Sequence, residues 1–243
     1  MTKSILLVLL LLMVSCAQKS KEQTSLLSKK VTAKKEITKP ETKIDTAKTV
    51  LDETFTDSTQ VGSKGKFKLT VDQFRSDDST YVAIHLFEKR NSKWQIKQKL
   101  EYLKDGITNC DPELADFNND GFNDLTFQSS VAARGANEIR KLLIFDRSKE
   151  EFILMKNSDH YPNLQYNELL NCVDAWLVYG GSSTVFLKIE KDSLREFAGV
   201  SLEENQREIY IIDKKGNRKT LKKEYVKDLE VHTRYQNYNP LSE

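Results

Sequence analysis

At 243 residues, with 38 basic against 36 acidic side chains and a formal net charge of +2, the chain is nearly neutral and long enough for one domain with a real core. That balance argues against a nucleic-acid partner, which requires a basic stripe. The first element is a leader. Met1-Thr2-Lys3-Ser4 carries one cation, and Ile5 to Val14 is an unbroken apolar run. A cationic start followed by roughly 7–15 apolar residues is the build of a secretory signal peptide. A membrane-spanning helix needs roughly 20 such residues.

Met13-Val14-Ser15-Cys16 closes the leader. It resembles the lipobox of bacterial lipoproteins, whose pattern is apolar, small, small, Cys. The resemblance implies cleavage after residue 15 and fatty acylation of Cys16, which becomes the first residue of the mature chain. Each buried methylene contributes about 0.8 kcal/mol and one acyl chain holds only marginally, so two or three chains anchor firmly. The alternatives are a cleaved signal with Cys16 inside it and a short buried helix.

Residues 16–54 read as a tether. From residue 17 to about 50 no aromatic side chain occurs, and Lys, Thr, Ser and Glu dominate. Such a segment buries too little apolar surface to offset its ordering entropy and is expected to be disordered. The folded domain is placed at 55–235, with 236–243 as a tail.

The domain reads as all-β and mainly antiparallel, propeller-like or sandwich-like. Period-two alternation marks Phe67 to Val71 and Val82 to Leu86. Strands follow at Leu125 to Phe127, Ile139 to Phe145, Phe152 to Met155, Ala175 to Tyr179, Thr184 to Ile189, Ile209 to Ile212 and Arg218 to Tyr225. Gly180-Gly181-Ser182-Ser183 is expected as a hairpin turn whose glycines take positive φ. Helix signals are weak, with at most one turn at Glu168 to Asn171.

The sharpest motif is Asp116-Phe117-Asn118-Asn119-Asp120-Gly121-Phe122-Asn123-Asp124. Oxygen side chains stand at places 1, 3, 5 and 9, and glycine at place 6. This spacing opens a calcium loop: Asp116, Asn118 and Asp120 turn inward, Phe122 offers its backbone carbonyl, and Asp124 ligates directly or through water. Phe127 stands where an EF-hand needs Glu, so an EF-hand is excluded. The alternative is a turn that binds no metal, since Asn and Asp favour turns on their own account. The loop, with the strand Ile139 to Phe145, a polar turn and Glu151-Phe152 after it, resembles the FG-GAP (VCBS-type) repeats of bacterial surface proteins over roughly residues 110 to 200. That resemblance implies Ca²⁺ in a loop between strands. The chain is also similar to small calcium-binding envelope lipoproteins, some of which inhibit lysozymes.

Of the three cysteines, Cys16 is assigned to lipid. Cys110 and Cys172 remain as an even pair in an exported chain, and a disulfide between them is expected, with two buried free thiols as the alternative. His85, His160 and His232 stand far apart and form no zinc pattern. Gly180 to Thr184 lacks the last glycine of a nucleophile elbow. Arg134-Gly135-Ala136-Asn137 is read as a polar loop with the composition of a contact surface.

Three functions remain open. The first is a membrane-anchored binding module of the bacterial envelope that docks to a protein or glycan, in its specific form an inhibitor of a peptidoglycan hydrolase. Such an inhibitor needs a protruding loop with basic or hydroxyl residues. The second is a structural or adhesion lipoprotein in which calcium only stiffens the fold. The third is a hydrolase, which lacks a readable acid–base pair; no enzyme activity is expected.

Overall fold

The computed structural model describes residues 49–106, 108–227 and 232–239. The leader, Cys16 and the tether up to residue 48 lie outside the described residues. No helix among the described residues is long and apolar enough to cross a membrane.

The domain is all-β and sandwich-like, with three antiparallel sheets, none closed into a barrel. The first sheet runs β1 (Val50–Asp57), β2 (Phe67–Arg75), β3 (Thr80–Arg90) and β4 (Lys93–Lys104) in that order. The second runs β5 (Glu113–Ala115), β6 (Asp124–Ala132), β7 (Asn137–Asp146) and β8 (Glu151–Leu154). The third holds six strands from β9 (Gln165–Asn167) and β10 (Cys172–Val178) through β11 (Ser182–Glu190), β12 (Ser193–Glu203) and β13 (Gln206–Ile212) to β14 (Arg218–Tyr225). Each sheet is a meander in which consecutive strands pair, the cheapest connection for antiparallel neighbours.

Alternation along the strands decides how the sheets bury one another. Phe67, Leu69 and Val71 of β2 and Val82, Ile84 and Leu86 of β3 pack with Leu125, Phe127, Leu143 and Phe145 of the second sheet. The other face of β7, Leu142 and Ile144, packs with Val173, Ala175, Val185 and Leu187 of the third sheet. Leu142-Leu143-Ile144-Phe145 is therefore unbroken in its apolar character because the middle sheet is covered on both sides. A third cluster lies on the far face of the last sheet, where Phe186, Val200, Leu202 and Ile209 are covered by Tyr235 and Tyr238.

Several expectations need correction. Strand β1 begins at Val50, inside the segment assigned to the tether. Its polar residues occupy an edge strand whose backbone pairs with β2, while Phe55 packs on the first core. The tail assigned to 236–243 begins inside packed structure: the Gln236 carbonyl accepts from Asn167 Nδ2 at 3.0 Å, and Tyr238 lies 5.9 Å from the Phe186 ring. Cys110 and Cys172 are free and buried, so the expected disulfide is not made. The reason is layering: Cys110 belongs to the core between the first two sheets, and Cys172 to the cluster on the far face of the third. Burial pushes the Cys110 thiol up to about 12 and that of Cys172 up to about 11, which disfavours the reactive thiolate in both. Residues Glu168 to Asn171 form a turn rather than helix.

The hairpin between β10 and β11 is in place, but neither Gly180 nor Gly181 takes positive φ. Gly181 is needed for space instead: a Cβ there would stand 2.0 Å from the Leu202 carbonyl oxygen of β12. Gly181→Ala is expected to destabilise the domain by about 1–3 kcal/mol through overpacking against backbone, read as a lower midpoint in thermal unfolding. Gly180→Ala has open space and is expected to change little.

Candidate functional site

The acidic loop connects β5 to β6, a position between strands as the resemblance implies. Asp116 accepts from the amides of Asp120 (3.1 Å) and Gly121 (2.8 Å). Asn118 Oδ1 also accepts from Asp120 N at 3.1 Å, and Asp120 Oδ1 accepts from Phe122 N at 2.9 Å. Gly121 sits at φ +86°, a region that favours glycine. Asp116, Asn118 and Asp120 thus gather three oxygen-bearing side chains into one turn, each still holding free lone pairs. Phe122 stacks on Phe145 at 5.8 Å, and Asn123 bridges to Val61, so the loop is seated on the first core.

Asp124 is engaged differently from its neighbours. It is fully buried, and its two carboxylate oxygens accept from Phe117 N (2.9 Å) and Phe145 N (2.8 Å). It ties the start of the loop to β7 where the β6 ladder begins. Burial pushes its carboxyl up to about 7, against the pull of the Phe145 and Phe117 amides; the Asp120 and Asp116 charges add to the rise. Among the described residues, no three acidic, histidine or cysteine side chains converge as a metal-holding group. By residue type and spacing, Asp116, Asn118 and Asp120, with the Phe122 carbonyl next in register, are the residues that could hold a hard cation. Their oxygen chemistry suits calcium, which takes roughly 6–8 such ligands with water completing the shell.

A second feature lies at the other end of β6. The β6–β7 connection, residues 133–136, is exposed throughout, and Val131 and Ala132 before it are exposed as well. Ala133, Arg134 and Gly135 take φ of +49°, +56° and +94° in succession. A left-handed conformation costs a non-glycine residue roughly 1–2 kcal/mol. The strain is held by a brace at the base of the loop. Asn137 exchanges two hydrogen bonds with the backbone of Val178, donating to its carbonyl (2.9 Å) and accepting from its amide (2.8 Å). Asn163 donates to the carbonyls of Ala136 (3.0 Å) and Trp176 (2.8 Å) and accepts from Glu138 N (3.1 Å). Arg134 is thereby presented in an exposed loop that is held at its base. The sequence marks the loop composition but not the brace, because Asn163 is remote in the chain from the residues it clamps.

A cleft of about 530 Å³ is lined by Glu53, Asp111, Glu113, Gln128, Glu138 and Arg140, among others. Three of its acids are occupied: Glu138 and Glu113 pair with the buried Arg140, and Glu53 accepts from Cys110 N at 2.6 Å, while Asp111 is met by Arg140 at its backbone carbonyl.

No protein-family model matches the chain, and no curated protein matches it. A solved structure described as that of a Xanthomonas type IV secretion system related protein is similar, with a TM-score of 0.44 and 12% identity, covering 70% of this chain and 100% of that one. A likeness of that size assigns neither a family nor a role.

Proposed function

We propose that the chain is a binding module of the bacterial envelope, lipid-anchored through Cys16, that inhibits a peptidoglycan hydrolase. The observation that supports this reading is the Arg134 loop. Glycoside hydrolases use a pair of carboxylates flanking the scissile bond, so their clefts are acidic. An arginine on a loop already held in shape meets such a cleft with little ordering cost. Ca²⁺ bound by Asp116, Asn118, Asp120 and the Phe122 carbonyl stiffens the same sheet from the opposite end of β6.

The test is hydrolysis of labelled peptidoglycan by lysozymes of several classes, titrated with the full chain in mild detergent. At least one enzyme is expected to be inhibited. Arg134→Ala is expected to weaken that inhibition by about 2 kcal/mol or more, the scale of an interface hot spot. No inhibition in any class removes the inhibitor reading. Calcium is tested separately by calorimetry. Binding heat and a raised melting midpoint are expected, with affinity on the order of 10⁻⁴–10⁻³ M as in extracellular modules, and Asp120→Ala is expected to abolish both.

A further inference from the structure

The outer face of the first sheet carries a different surface. Strand pairing arranges it in rungs: Lys68–Phe87–Ile96, then Lys89–Trp94 toward one end and Thr70–His85–Lys99 toward the other. A bulge places Lys97 outside the β3–β4 pairing, between Ile96 opposite Phe87 and Gln98 opposite Leu86. An inserted residue reverses the faces of the strand beyond it. Gln98, Leu100 and Tyr102 therefore turn inward, and Trp94 and Ile96 turn outward. Trp94 is 37% and Ile96 50% exposed.

The lysines here are held but not neutralised. Lys68 Nζ lies 4.4 Å from the Phe87 ring centre and 5.6 Å from that of Trp94, and Lys89 Nζ lies 5.5 Å from Trp94. Elsewhere on this sheet cations meet acids: Lys66 meets Glu150, Arg75 meets Asp52, and Arg90 meets Glu88. No carboxylate pairs with Lys68, Lys89 or Lys99 among the described residues.

We infer that this face binds an acidic glycan, a strand of sugar rings carrying spaced carboxylates. Lys68, Lys89 and Lys99 take the carboxylates, and the apolar faces of the rings lie on Trp94 and Ile96. A nucleic acid fits less well. Its continuous phosphate charge needs a long basic stripe, whereas Asp72 and Glu101 form the next rung and end the positive patch. A bilayer fits less well too, because surface insertion needs a continuous apolar face and the outward apolar residues here are interleaved with lysines. This inference is independent of the inhibitor reading.

The probe is polygalacturonate, titrated by calorimetry into the full chain in neutral detergent, with dextran, a DNA oligonucleotide and phosphatidylglycerol vesicles alongside. Polygalacturonate is expected to bind and dextran not to. Affinity is expected to fall about tenfold or more in the double variant Lys68→Ala/Lys89→Ala, and to weaken between about 50 and 200 mM salt, since the contacts are ionic. Trp94→Ala is expected to weaken binding at either salt concentration. These substitutions are on the surface, and unchanged melting midpoints confirm that each variant folds. Unaltered affinity in the double variant overturns the inference, because binding then resides in the lysines of the N-terminal segment. So does absence of polygalacturonate binding, or a response confined to DNA or vesicles.

Discussion

Replacing Asp124 with alanine is expected to destabilise the domain by about 2–6 kcal/mol, because two buried amides lose their acceptor and each unmet buried donor costs roughly 1–3 kcal/mol. The register explains why this carboxylate matters. Leu125 pairs with Leu143, so the Phe145 amide lies beyond the first ladder bond of β6. The Asp124 side chain supplies the acceptor there at 2.8 Å, and it meets the Phe117 amide at 2.9 Å on its other oxygen. At this domain size each kcal/mol lowers the melting midpoint by about 2–4 °C. Asp124→Asn keeps one acceptor and turns an NH₂ toward the other amide, so an intermediate loss is expected. A midpoint for Asp124→Ala equal to that of the unsubstituted chain would show that the two amides find other partners.

The second large effect concerns the C-terminal segment. Asp174 of β10 is 1% exposed and Arg234 21% exposed, and the two form an ion pair in which Arg234 Nε donates to Asp174 Oδ1 at 2.9 Å. Asn167 donates to the other oxygen at 2.8 Å. Arg234→Ala is expected to cost about 3–5 kcal/mol, since it strands a buried carboxylate with one neutral donor. The loss also loosens Tyr235, whose amide donates to Thr184 Oγ1 at 2.9 Å, from the face it covers. Asp174→Asn in the Arg234→Ala background is expected to recover part of the stability, because it removes the stranded charge. Thermal unfolding of the two single variants and the double variant measures this coupling. Strictly additive losses would mean that the pair contributes nothing as a pair.

Strand β4 shows where sequence periodicity misleads. Trp94, Ile96, Leu100 and Tyr102 all occupy even positions, which in an unbroken strand would share one face. The bulge at Lys97 divides them between two faces, and the cause is a register shift that composition does not record. Gln98, a polar residue among them, uses both ends of its amide on the backbone of Phe152, donating at 2.8 Å and accepting at 2.9 Å. It joins the edge of the first sheet to the edge strand of the second. Cys110 and Cys172 make the same point for cross-links: an even count in an exported chain suggests a bridge, but pairing depends on which layer each residue enters.

The sequence by itself determined the strand segments around Phe67, Val82, Ile139 and Val185, and the acidic turn at Asp116 to Gly121. Alternation and side chain-to-backbone bonding are local, and act over a few residues. Tertiary structure alone decided the conversion of Asp124 from one more loop oxygen into a buried brace, the clamping of the Arg134 loop by Asn163, and the pairing of Asp174 with Arg234. Each of these joins residues far apart in the chain, and burial rather than residue type sets its energy.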